Sequence, residues 1–179
     1  REGSTDVGAA YIFEGNTAAT SVSAADATFT STTASAYVGS AVYGADVNGD
    51  LAGDVAVGGY GYSSSAGIAG VWLSTDVAAS NDITAATFVV TGASAGHNLG
   101  YALAMCDVDG DGMGDGIFGA PAASATTAPG KTYIFYGLDV LTGTVSASTA
   151  DAILAGSANA DRQGLSVACG LAYGFRQRG

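Results

Sequence analysis

The chain has 179 residues, of which 16 are acidic and only five basic, giving a formal charge of −11. Binding to phosphate backbones or anionic membranes through a basic surface draws on Lys and Arg in numbers, so this balance excludes both partners. Apolar residues make up 48% of the chain, which excludes a disordered acidic tail, and no apolar run is long enough for a membrane span.

Scarce Lys, Glu and Arg beside abundant Ala, Gly, Ser and Thr predict short strands joined by many turns, with no helix. AAYIFEG from Ala9 and ATFTST from Ala27 read as two strands, the second half of a unit covering residues 1–35. GSAVYGAD from Gly39, DVAVGGY from Asp54, AGVWLST from Ala69 and ATFVVTG from Ala86 make a full unit over 36–95. GYALAMCD from Gly100, DGIFGAP from Asp115, KTYIFYG from Lys131 and DAILAGS from Asp151 repeat it over 96–160, and GLSVACGL from Gly164 starts a further unit over 161–179. Four apolar runs per period, separated by Gly, Ser, Thr, Asn and Asp, are what a four-stranded antiparallel sheet requires. Repeated with small residues where sheets approach, such units predict an all-β chain of β-propeller blades, a single array that leaves an incomplete ring.

Between the first and second strands of each full unit lies an acidic loop, DVNGDLAGD from Asp46 to Asp54 and DVDGDGMGD from Asp107 to Asp115. Positions 1, 3, 5 and 9 carry oxygen side chains: Asp46, Asn48, Asp50 and Asp54 in one, Asp107, Asp109, Asp111 and Asp115 in the other. Such crowding of like charge, with almost no Lys or Arg nearby, is relieved by a cation, and alternate residues of a tight turn aim hard oxygen ligands at calcium. An EF-hand is excluded, because its twelfth position needs a bidentate Glu where this chain has Val57 and Phe118.

The segments SAYVGSAVYGADVNGDLAGDVAVGG and NLGYALAMCDVDGDGMGDGIFGAP, the latter ending in Phe118, Gly119, Ala120 and Pro121, resemble FG-GAP repeats, the units of the integrin alpha-subunit propeller. The resemblance covers nearly the whole chain. It implies a propeller with two calcium ions at one face, held by the eight side chains above and by the backbone carbonyls of Ala52 and Met113 at position 7. The third copy departs from the pattern, with Leu171 where the first carboxylate belongs, so no metal is expected there. Closed propellers have about four to eight blades, which leaves a piece of a larger protein, an unusually small ring, or blades completed between chains. A fragment or an assembly is favoured over a small isolated ring.

Cys106 and Cys169 fall one residue out of register in neighbouring first strands, which favours two small buried hydrophobes over a bridge. His97 reads as a solvated turn residue with no nucleophile beside it, and no enzymatic role is expected. Tyr11, Phe13, Trp72, Tyr133, Phe135 and Tyr136 occupy matching strand positions and read as sheet-packing residues, whereas Tyr60 and Tyr62 are candidates for exposed contact. No secretion leader opens the chain, so any such signal is expected to have been removed.

The function expected is a calcium-stabilised extracellular or cell-surface module for adhesion or surface assembly, with a protein or glycan ligand and a structural metal. Two alternatives stand beside it: a self-assembling filament subunit, or other homo-oligomer, completed head to tail by strand pairing, and a glycan-binding noncatalytic module of a secreted enzyme. In calorimetric titration of the chelator-stripped protein, Asp50→Ala and Asp109→Ala are each expected to remove one bound ion. The Asp107 loop, with four carboxylates against three, is expected to bind more tightly; equal affinities would show that loop rigidity outweighs charge count.

Overall fold

A computed structural model describes residues 6–15, 21–123, 125 and 127–170. Twelve strands run in chain order: β1 (Ala10–Ile12), β2 (Ala27–Thr30), β3 (Val38–Ala45), β4 (Asp54–Gly59), β5 (Ile68–Trp72), β6 (Ser80–Asp82), β7 (Phe88–Thr91), β8 (Ala102–Cys106), β9 (Asp115–Ala120), β10 (Lys131–Phe135), β11 (Gly143–Ser146) and β12 (Ala152–Ala155). Strands hold 39% of the described residues against 10% in short helical turns, so the fold is all-β, and its three sheets do not close into a barrel.

Two of the sheets contain the same antiparallel meander, β3–β4–β5–β7 and β8–β9–β10–β12. The remaining sheet holds β1 and β2 with β6. Sequence reading missed β6 and β11, which lie on the connections between β5 and β7 and between β10 and β12. Each crosses to the preceding sheet and pairs in parallel with its last strand, β6 with β2 and β11 with β7. Neither carries an apolar alternation that would mark it as a strand.

The middle sheet is buried on both faces, and period-2 alternation sorts its side chains between them. Ala56, Ala69, Val71, Phe88 and Val90 face the third sheet, where they meet Leu103, Met105, Phe118, Tyr133 and Phe135. Val57, Ile68, Trp72 and Val89 face the first sheet and its Ala27 and Phe29. Edge-on aromatic contacts join the layers, Phe29 with Trp72 at 4.8 Å and Phe88 with Phe135 at 5.4 Å between ring centroids. Trp72, Tyr133 and Phe135 are therefore packing residues, whereas Phe13 is exposed at 40% and Tyr11 half-buried on the outer side of the first sheet.

Backbone contacts between sheets fix the repeat more sharply than side chains do. Gly8, Gly67 and Gly130 bridge in parallel to Val38, Leu99 and Gln163. These bridges place Ala10, Ala69 and Thr132 in equivalent positions, so β1 and β10 keep the match of Ala9 with Lys131 while the β5 segment sits one residue away from an alignment that sets Ala69 beside them. The same register puts Asp26, Thr87 and Asp151 in one role: their side-chain oxygens accept the N–H of Glu14 (2.7 Å), Leu73 (3.2 Å) and Tyr136 (3.0 Å) at the end of the neighbouring strand. Gly58 and Gly119 lie where sheets touch; a Cβ on either would collide with the carbonyl oxygen of Gly100 or Gly164.

The last described segment departs from the sequence reading. Gln163 and Gly164 keep the backbone contacts of the earlier copies, but residues 165–170 form no strand, since no second strand among the described residues offers them a ladder. Leu171 and the residues after it lie outside the described residues. Cys169 is joined in a disulfide to Cys106 at the end of β8, with Cα atoms 6.0 Å apart, and both are half-buried. The two are thus a bridge rather than buried free thiols: without a regular strand at 165–170, strict alternation no longer dictates which way Cys169 points.

Two substitutions probe this packing. Gly58→Ala is expected to lower unfolding free energy by ~1–3 kcal/mol in urea titrations, because a backbone carbonyl cannot give way as a side chain can. The Tyr133 hydroxyl is buried with no protein hydrogen-bond partner, so Tyr133→Phe is expected to leave stability equal or higher by up to ~1 kcal/mol; a clear loss would reveal a partner for the hydroxyl.

Candidate metal centre

Both acidic loops join the first strand of a meander to the second, β3 to β4 and β8 to β9, and their internal hydrogen bonds match position by position. At position 1, Asp46 accepts from the N–H of Gly49 at 2.7 Å and Leu51 at 3.0 Å, and Asp107 from Gly110 at 2.6 Å and Gly112 at 3.0 Å. At position 3, Asn48 accepts from Asp50 N–H (3.0 Å) and Asp109 from Asp111 N–H (3.1 Å). At position 5, Asp50 accepts from Ala52 N–H (2.7 Å) and Asp111 from Met113 N–H (2.8 Å). The alternate side chains thus wind the backbone around themselves, which is why oxygen-bearing residues recur at every second position.

Position 9 behaves differently. Asp54 and Asp115 open β4 and β9 and are 0% exposed. Asp54 accepts from Val47 N–H and Ser74 N–H, both at 2.8 Å, and Asp115 from Val108 N–H at 2.6 Å and Gly137 N–H at 2.9 Å. Each buried carboxylate therefore ties the start of its loop to the chain leaving the third strand of the meander. Ser74 and Gly137 are participants that sequence reading did not single out, since they lie well away from the acidic motif. Ser74 Oγ also donates to Asp50 at 3.3 Å.

The donor chemistry fits a hard divalent ion. One carboxylate oxygen each from Asp107, Asp109 and Asp115 lie within 4.8 Å of one another. An ion held at about 2.3–2.6 Å from every ligand spans oxygen pairs separated by up to about twice that distance. The Asp46 loop has the same backbone arrangement with Asn48 in place of one carboxylate. There the N–H of Ala52, then the amide of Asn48, hold the Asp50 carboxyl below the usual carboxylate range. Ala52 and Met113, expected to offer carbonyls, sit at the turn whose N–H groups cap Asp50 and Asp111.

The loops differ at position 6. Gly112 has φ +93°, in the left-handed region that suits glycine, while Leu51 takes φ +67° there and exposes 95% of its surface.

Other sequence candidates sit elsewhere. Tyr60 is half-buried, stacked on Tyr37 with ring centroids 5.0 Å apart and tilted against Tyr101 at 5.3 Å, at the end of the meanders opposite the acidic loops. Tyr62 packs against the core between the first and middle sheets. His97 is half-buried rather than fully solvated, and burial, then the charge of Lys131, pushes its pKa down.

Leu51→Gly is expected to raise thermal stability by ~1 kcal/mol by removing left-handed strain. Asp54→Ala is expected to cost ~2–4 kcal/mol even in chelator, because it strips two charge-assisted hydrogen bonds from a buried site; denaturant titration checks both. Compared with protein-family models and with curated proteins, the chain matches none.

Proposed function

We propose that this chain is a calcium-stabilised β-propeller module of the FG-GAP type, working outside the cell in adhesion or surface assembly with its metal in a structural role. The observation that carries the reading is the identity of two separate loops: the same oxygen-bearing positions accept the same backbone N–H groups, and a buried ninth carboxylate closes each. The side chains that shape the loops in this way also crowd carboxylates together with almost no Lys or Arg in the sequence nearby, and a bound cation relieves that crowding in both. Asp46, Asn48, Asp50 and Asp54 would hold one ion and Asp107, Asp109, Asp111 and Asp115 the other, with Ala52 and Met113 lending carbonyls. The ion supplies charge neutralisation and rigidity, and sites of this kind in extracellular modules have Kd on the order of 10⁻⁴ to 10⁻³ M. The acidic charge and the Cys106–Cys169 disulfide suit an oxidising, calcium-rich exterior.

Head-to-tail assembly stands as a second reading, favoured by the first sheet. Among the described residues only one edge of β1 is paired. Beside its other edge runs an apolar groove of about 520 Å³ lined by Ala10, Ile12, Phe29, Val42, Val55 and Val57. In the other two sheets β4 and β9 fill the corresponding place, so a strand from a neighbouring unit fits it.

Thermal unfolding in roughly 10 to 100 mM calcium, about 100 times the Kd above, and in chelator tests the leading reading. Calcium at 100 times Kd is expected to add ~2.7 kcal/mol per site by mass action, a rise that Asp50→Ala and Asp109→Ala each cut by about half. Identical melting curves with and without calcium would overturn it.

A further inference from the structure

We infer that the two acidic loops are coupled, so that a divalent cation in one raises the affinity of the other; this rests on the calcium reading above. The loops touch through their backbones. Val47, second residue of the Asp46 loop, donates its N–H to Asp54 at 2.8 Å. Its carbonyl accepts the N–H of Gly114 at 2.9 Å. Gly114 is the eighth residue of the other loop and directly precedes Asp115, and its own carbonyl accepts Leu138 N–H at 2.7 Å. One residue of the first loop is thus held through its N–H by that loop's buried carboxylate and, through its carbonyl, fixes the chain that carries the second loop's buried carboxylate.

The contact joins successive copies of the repeat, from the second residue of one acidic loop to the eighth of the next. Val47 is 1% exposed while its counterpart Val108 is 42% exposed. A Cβ on Gly114 would lie 2.6 Å from the Val47 Cβ, yet one on Gly53, the same position of the other loop, meets nothing within 4 Å. Neither glycine has a left-handed φ, so alanine at either position tests space alone. Ordering one loop sets the peptide on which the other rests, and the second ion then meets a site whose ordering cost is already met. Repulsion between two dications opposes this and is screened by salt.

The test is calorimetric calcium titration, in 0.15 M salt, of chelator-stripped wild type, Gly114→Ala and Gly53→Ala, with circular dichroism to check folding. The wild type and Gly53→Ala are expected to take up two ions with the second bound more tightly than independent sites allow, and Gly114→Ala two ions independently. Asp109→Ala supplies a second arm that leaves the Val47–Gly114 contact in place: the ion left in the Asp46 loop is expected to bind about fivefold or more weakly than in the filled protein. Superposable isotherms for all three glycine forms, or unchanged Asp46-loop affinity in Asp109→Ala, would overturn the coupling while leaving two calcium sites. No uptake by the wild type would overturn the calcium reading itself.

Discussion

A carboxylate with no exposed surface closes each acidic loop, and the arrangement of the rest follows from it. Asp54 and Asp115 each accept two backbone N–H groups, one from the loop's second residue and one from the chain beyond the third strand. Burying a charge is costly unless it is hydrogen-bonded, and here those bonds join three strands of a meander at one end. The loop above is then held at both ends, and in the second of them one oxygen each of Asp107, Asp109 and Asp115 lies within 4.8 Å of the others. The same carboxylate that organises the loop organises the sheet.

The sheets themselves stack through two kinds of contact that suit different residues. Large apolar side chains, Trp72 and Phe29 on one side of the middle sheet and Phe88, Phe118 and Phe135 on the other, fill the layers. Where backbones must meet, Gly58 lies against Gly100 and Gly119 against Gly164, and no side chain intervenes. The Cys106–Cys169 disulfide adds a covalent tie where the third copy of the first strand lacks a ladder. It begins one residue before Asp107, so the segment leading into an acidic loop is held from outside the sheet as well as within it.

Much of this was legible in the sequence for a physical reason: features set by local chemistry repeat in it. Loop positions 1, 3, 5 and 9 are local turns, and the structure gives them the same hydrogen bonds twice. β4, β5 and β7 are visible as nearly unbroken runs of apolar residues and glycine because both faces of that sheet are buried. Features set by the approach of distant segments left no such trace. β6 and β11 are short and polar, and become strands only because a neighbouring sheet offers an edge. The one-residue shift of β5 is decided by Gly67 meeting Leu99, whereas the YIF pattern shared by β1 and β10 keeps the match that the sequence shows. The disulfide depends on residues 165–170 leaving regular strand geometry. Ser74 and Gly137 reach the buried carboxylates through main-chain N–H groups, which no residue type advertises.

An anomalous difference map from crystals grown in saturating calcium tests the central claim most directly. The account predicts two peaks, one inside each acidic loop, with oxygens of Asp46, Asn48 and Asp50 or of Asp107, Asp109 and Asp111 at about 2.3–2.6 Å. Loops folded as described but holding no peak would contradict it.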